Sequence, residues 1–179
     1  MNILLHICCA NCAIIPNQAL RQQGHDVTGY FYNPNIHPFL EFKRRLDTVK
    51  EYANRTGLSV IYREDYLLRD FLAQVAAAPS SRCNYCYHSR LEETARFAAE
   101  NGFEAFSSSL LYSRFQQHGE IRAQGEAMAR DFGLTFVYQD FRKGWNEGIA
   151  LSKAMGLYRQ QYCGCIYSEQ DRYAPQKGR

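Results

Sequence analysis

Short apolar runs alternate with longer amphipathic segments along almost the whole chain, and this alternation restricts the fold more than any other feature. "NILLHI" near the start predicts a buried first strand. "CAIIPNQALRQQG" predicts a helix closed by Gly24, with Pro16 tolerated in its first turn. "DVTGYFYNPN" predicts a second strand, stopped at Asn33-Pro34-Asn35, and "FLEFKRRLDTVKEYANRTG" an amphipathic helix ending at Gly57. "LSVIYRE" and "YLLRDFLAQVAAA" add a third strand and helix. "PSSRCNYCYHSRLEETARFAAENG" starts as a loop and becomes a helix closed by Gly102. "FEAFSSSLL" and "LTFVYQDF" are the fourth and fifth strands, on either side of the helix "HGEIRAQGEAMARDFG". The remainder is helix and loop. Strands alternating with helices imply an α/β fold: a single-domain, Rossmann-like parallel sheet of about five strands with helices on both faces, spanning 1–179. In such sheets ligands collect beyond the carboxyl ends of the strands, where strand order reverses. "HICCANC" ends the first strand and "SSSLLYSRF" the fourth.

Three of the seven residues in "HICCANC" are cysteine. The chain start, "MNILLHICC", lacks the basic opening and length of a signal peptide, and no apolar run reaches the ~18 residues of a membrane helix. The expectation is a soluble, cytoplasmic protein with no membrane partner. In a reducing compartment, close cysteine pairs signal metal binding or catalysis more than structural disulfides. The total of seven cysteines is odd, which excludes a complete disulfide framework. A net charge of +3 is too small to indicate a nucleic-acid partner by itself.

The thiols fall into three groups: Cys8, Cys9 and Cys12; Cys83 and Cys86; Cys163 and Cys165. "CNYC" has chelate spacing and opens a helix, whose amide dipoles favour thiolate. It suits a metal half-site or a redox pair. Four thiolates from two groups suit tetrahedral zinc or an iron–sulfur cluster. Adjacent Cys8 and Cys9 fit zinc poorly, whereas the separate corners of a cluster can accept neighbouring thiols. "CGC" suits a strained, easily reduced disulfide, ligands for a second metal, or two buried structural cysteines. The turn after the first strand carries no glycines to wrap phosphate, which disfavours a nucleotide-driven enzyme.

With "HICCANC", "RCNYCYHSRL", "SSSLLYSRFQQH", "YQDFRKGW" and "YRQQYCGCIYS" in this order, the chain resembles the QueH family of epoxyqueuosine reductases from His6 to about Ser168. Relatives commonly carry proline where Asn11 stands, a change that removes no thiol. The resemblance implies an α/β architecture related to the PP-loop ATPases. It implies reductive removal of the epoxide oxygen of epoxyqueuosine at the tRNA wobble position, giving queuosine. It implies a four-iron, four-sulfur cluster on Cys8, Cys9, Cys83 and Cys86. Cys163 and Cys165 then form a redox-active disulfide or bind a second, mononuclear iron, which Cys12 could join.

Such a reaction needs two electrons from a donor, an acid for the departing oxygen, and a grip on tRNA. His118 and Asp140 are candidate proton donors. Lys43, Arg44, Arg45, Arg82, Arg90, Arg114, Arg142 and Arg159 are candidate phosphate contacts. Tyr85, Tyr87, Tyr112 and Tyr162 are candidate platforms for a flipped wobble base. Two other readings compete: a zinc-stabilised RNA-binding protein, and a thiol–disulfide oxidoreductase built on "CNYC" or "CGC".

Overall fold

Strand β1 (Asn2–His6) is the centre of the molecule, and Ile3, Leu4 and Leu5 are fully buried in it. An uninterrupted apolar run is what a strand covered on both faces requires. The computed structural model describes residues 1–175; the last four residues of the expected domain, 176–179, lie outside it. Strand β2 (Asp26–Phe31) runs parallel to β1, with Asn2 opposite Asp26 and His6 opposite Tyr30. Strand β3 (Val60–Tyr62) lies outside β2. On the other side of β1, strand β4 (Ala105–Ser108) places Ser108 opposite His6, and strand β5 (Thr135–Phe136) completes the sheet. The order is β3-β2-β1-β4-β5, all parallel, as the alternating pattern predicted. Strand order therefore reverses between β1 and β4, and the carboxyl ends of those two strands form the switch point.

Seven α-helices are present among the described residues: α1 (Ala10–Gln22), α2 (Phe39–Thr56), α3 (Leu68–Val75), α4 (Arg82–Glu100), α5 (His118–Phe132), α6 (Trp145–Ala154) and α7 (Ile166–Tyr173). Right-handed crossovers put α1 and α2 on one face and α4 and α5 on the other. The packing agrees: α1 meets α2 and α6, while α4 meets α5, β1 and β4.

Two local expectations change. Helix α1 starts at Ala10, so Pro16 lies beyond its first turn and offers no N–H to the Cys12 carbonyl. The fourth and fifth strands are also shorter than their apolar runs. After Ser108 the chain turns into a 3₁₀ helix, Ser109–Tyr112, with the Ser108 hydroxyl accepting from the Leu110 N–H. Leu110 and Leu111 are buried by that turn instead of by continued strand pairing, which apolarity alone cannot distinguish.

Candidate active site

Cys8, Cys9 and Cys12 sit where β1 hands over to α1, at the switch point. Ladder bonding continues one residue past β1, with the Ile7 N–H on the Tyr30 carbonyl at 2.8 Å. The Cys8 N–H then turns to the Ser109 Oγ at 3.1 Å, tying β1 to the residue after β4. Cys9 is the N-cap of α1, and Cys12 lies in its first turn. The three sulfurs lie within 4.8 Å of one another, and all three residues are buried. Hydrogen bonds from the Cys12 and Cys9 thiols, with help from the Ser109 hydroxyl, hold Cys8 well below the usual thiol range. Burial pushes Cys9 up, and the bond to Cys8 pushes Cys12 up. The Gln160 Nε2 covers them from outside, 2.9 Å from Cys9 Sγ and 3.5 Å from Cys12 Sγ.

His6 lies behind this group, fully buried, a residue of "HICCANC" whose role the sequence did not reveal. Its Nε2 donates to the Tyr32 carbonyl at 3.1 Å, so Nδ1 accepts from the Ser108 hydroxyl at 2.9 Å. Burial, then the nearby Arg90 charge, lowers its pKa to about 4. The imidazole is a neutral spacer between the two strand ends.

The other four thiols approach from α4 and the last segment of the chain. Cys83 and Cys86 occupy the opening turns of α4, as the sequence implied. Burial pushes Cys83 up and Cys86 to about 12. Cys165 packs with Cys86 against Phe71 and caps α7 through its sulfur. Cys163 is exposed, with Gln116 Nε2 at 3.4 Å from its sulfur. Arg90, one turn after Cys86 and almost fully buried, donates to the Cys86 carbonyl and, through Nη2 at 3.0 Å, to its sulfur. Its charge faces Cys86, Cys8 and Cys163, so sulfur answers this buried cation.

A polar strap fixes the last segment. Arg45 is buried and ion-paired to Glu41 at 2.7 Å; it donates to the carbonyls of Cys163 at 2.8 Å and Tyr162 at 2.9 Å. The His37 N–H donates to the Gly164 carbonyl at 2.8 Å, and the Tyr162 hydroxyl to the His37 carbonyl at 2.6 Å. Asn11 adds bonds to the Tyr158 carbonyl and the Gln160 side chain.

Cys8, Cys12, Arg90 and Cys163 open on one cavity of about 480 Å³, within the ~300–1,000 Å³ usual for small-molecule sites. Tyr112, Tyr162 and Arg159 are also on its wall. Neither His118 nor Asp140 is. His118 bonds to the Ser113 carbonyl, and Asp140 caps a 3₁₀ turn in a two-bond pair with Arg142 that lowers its pKa to about 2. An ionised, paired carboxylate cannot be the proton donor expected of Asp140 at neutral pH. The basic candidates also divide. Arg45 is buried in the strap and cannot reach phosphate, while Lys43, Arg82 and Arg142 are paired to Asp47, Asp171 and Asp140. Arg44 lies over Tyr158 and Arg114 over Trp145. Tyr85 packs on Phe71, and Tyr87 is buried with its hydroxyl on Gln116.

Residues 3–171 match the family described as Epoxyqueuosine reductase QueH. The chain belongs to the epoxyqueuosine reductase QueH family. A relative of that name from Dehalococcoides mccartyi is 40% identical over 96% of this chain and 94% of its own length. One from Thermotoga maritima is 36% identical over 95% and 91%. A solved structure described as a predicted subunit of tRNA methyltransferase from Methanocaldococcus jannaschii shares the fold, with TM-score 0.55, 13% identity, and coverage of 86% of this chain and 75% of that one.

The QueH thiols of this chain fit a thiolate-bound group. Donors converge on one cavity from two sides, and a buried arginine with sulfur partners stands beside them. Among the described residues, the one tight triad that could hold a metal ion is Cys8, Cys9 and Cys12. Cys12, Cys163 and Cys165 do not form such a triad: Cys12 and Cys163 face the cavity, and Cys165 turns to Cys86.

Proposed function

We propose that this chain reduces the epoxide of epoxyqueuosine in the anticodon of tRNA to the alkene of queuosine. The observation that carries the reading is the convergence of Cys8, Cys12, Cys163 and Arg90 on one nucleoside-sized cavity at the switch point of the sheet. In the balanced reaction both epoxide C–O bonds break, a carbon–carbon double bond forms, and two electrons and two protons convert the oxygen to water. We assign Cys8, Cys9, Cys83 and Cys86 as ligands of a four-iron, four-sulfur cluster between the two thiol groups. When bound, that cluster supplies electrons one at a time.

The source of the electron pair is assigned to Cys163 and Cys165, with the cluster as the one-electron relay. Cys165 touches the cluster side through Cys86, while Cys163 opens on the cavity. Oxidation of the two thiols to a disulfide releases the two electrons and two protons that the reaction consumes. An external reductant then restores the thiols. Arg90 remains cationic and offsets the negative charge of the thiolates. Arg159 lines the cavity, and with Arg114, stacked on Trp145, it is assigned to meet RNA phosphates.

The test is conversion of epoxyqueuosine in purified tRNA by anaerobically isolated protein with a chemical reductant. Brown protein with about four irons per chain that forms queuosine is the expected result. Brown, fully loaded protein that leaves the epoxide intact overturns the reading. A colourless protein with one zinc would instead favour an RNA-binding role. A colourless, metal-free protein with a titratable thiol pair would favour thiol–disulfide exchange. A second iron on Cys163, Cys165 and Cys12 would show as iron beyond the cluster, lost in all three serine variants.

A further inference from the structure

Three aromatic rings form a step at the mouth of the cavity. Tyr112 stacks on Trp145 with centroids 5.1 Å apart and 24° between planes, and its hydroxyl donates to the Trp145 carbonyl at 2.9 Å. Gly148, one turn along α6, lies directly under the Tyr112 hydroxyl, where any Cβ would collide. Trp145 is thereby fixed. The Arg114 guanidinium lies 5.4 Å over its ring. Phe115 meets the same indole edge-on at 5.9 Å and 78°, yet is 83% exposed. Its backbone is held by the Ser113 hydroxyl, which accepts from the Phe115 N–H at 3.2 Å. A large apolar ring is thus braced from behind by aromatics while its outer face meets water.

We propose that the outer face of Phe115, braced by Trp145, stacks an unpaired nucleobase adjacent to the modified nucleoside. This rests on the reading of the chain as an enzyme acting on tRNA anticodons. The cavity of about 480 Å³ takes a single nucleoside, so the neighbouring base of the same loop must remain at the rim. Phe115 is on that rim, and so are Arg159 and Arg172; Arg114 is next to it in sequence. Cations around an exposed ring complement a polyanion whose bases are unstacked, the chemistry of single-stranded RNA sites. The step differs from the wobble-base site itself, because Phe115 is largely exposed whereas Cys8 and Cys12 on the same cavity are buried.

Trp145 is the sole tryptophan of the chain, so its fluorescence reports on the step without labelling. The experiment titrates an anticodon stem-loop RNA with guanine at the wobble position into the metal-loaded protein. Binding should quench Trp145. Stacking on one ring is worth roughly a 5- to 150-fold change in affinity, so Phe115→Ala should weaken binding by that factor without changing the salt slope. Phe115→Tyr should restore it. A loop with an abasic site at one of the two positions flanking the wobble base should bind the wild type as weakly as the intact loop binds Phe115→Ala. Wild-type affinity of Phe115→Ala for the intact loop overturns the proposal and leaves the reductase reading standing. So does full affinity for both abasic loops. If Phe115→Ala slows turnover only with a protein reductant and RNA affinity is unchanged, the ring docks the reductant, and the proposal fails. Wild-type protein that binds no RNA and converts no epoxyqueuosine overturns the reductase reading itself.

Discussion

Two of the three thiol groups reach one cavity, the first through Cys8 and Cys12 and the last through Cys163, and they are held there by opposite means. Cys8, Cys9 and Cys12 are placed by backbone: the end of β1, the start of α1, and the Cys8 N–H on Ser109. Their position comes with the sheet, whose centre is fully buried. Cys163 and Cys165 belong to a segment with little regular structure, fixed mainly by the side chains of Arg45, paired to Glu41, and Tyr162, and by the His37 backbone. Cys83 and Cys86 stand between these cases, on the first turns of a long helix. The first group cannot move unless the sheet yields. The last depends on a few buried polar bonds and can be loosened while the sheet stays intact. A rigid wall opposite an adjustable one suits a centre that must bind a cofactor firmly and admit a nucleoside.

The largest expected effects test whether the two walls share one centre. Cys8→Ser, just past the end of β1, and Cys83→Ser, in the first turn of α4, should both lose most iron and all detectable epoxide reduction. Both should also lose stability only in the loaded form, since ligand binding contributes to folding free energy. Full iron and sulfide in Cys83→Ser would detach α4 from the cluster and leave the tight Cys8, Cys9 and Cys12 triad as the metal site. Cys163→Ser and Cys165→Ser should keep the cluster absorption and lose turnover; wild-type rates in both would make that pair structural.

Arg45→Met should have the next largest effect, because it leaves the Glu41 carboxylate buried without its partner. Breaking one side of a buried pair costs about 3–5 kcal/mol. Urea unfolding measures it, and Glu41→Gln added to Arg45→Met should recover part of the loss. The comparison predicts where the damage lies: alkylation of Cys163 and Cys165 should accelerate, while Cys8 protection stays as in wild type. Equal acceleration at Cys8 would mean that the strap supports both walls.

What the sequence revealed follows the same division. The α/β class, the parallel sheet and the site at the end of β1 were legible because apolar runs, helix periodicity and the strand-end rule are local signals. Membership in the QueH family was legible from five short motifs in order. The strap was not. Arg45 reads as one of three consecutive basic residues on an amphipathic helix, and only its tertiary partners make it structural. Phe115 reads as an ordinary apolar residue among polar ones, and nothing local shows that it stays in water. Helix α1 starts at Ala10 with Cys9 as a cap that makes no side-chain cap bond, so no sequence signal marks the start that leaves Pro16 beyond the first turn. No charged residue of α6 or α7 signalled that these helices close the cavity.

Gly164→Ala should perturb only the adjustable wall, and moderately. Gly164 has φ +155, and a Cβ there would press on Asn35 Nδ2 and Ile36 at 3.3 Å and on the Arg45 guanidinium at 3.4 Å. Strain of this kind costs about 1–3 kcal/mol, most of it expected as displacement of the segment that carries Cys163. Turnover should fall while iron content and cluster absorption remain. Iron loss in this variant would show that the thiol pair and the cluster are mechanically one unit.

The smallest effect belongs to Asp140→Asn, which lies off both walls. Its carboxylate accepts from the Arg142 side chain at 2.8 and 2.6 Å and from the Arg142 N–H at 3.1 Å. These bonds, the side-chain ones foremost, lower its pKa from 3.8 to about 2. A depressed carboxyl contributes stability above its unfolded value, and that contribution fades as pH falls through the folded one. The stability difference between variant and wild type should therefore be flat from roughly pH 5 to pH 9. It should also be small, because both side chains of the pair are about a third exposed or more and solvent screens them. An ionised group has no proton to give at neutral pH, so the variant's turnover and pH–rate profile should match the wild type. A tenfold loss of rate with a displaced acidic limb would put the proton donor beyond β5. It would move the reacting end of the nucleoside away from the wall formed by Cys12 and Cys163.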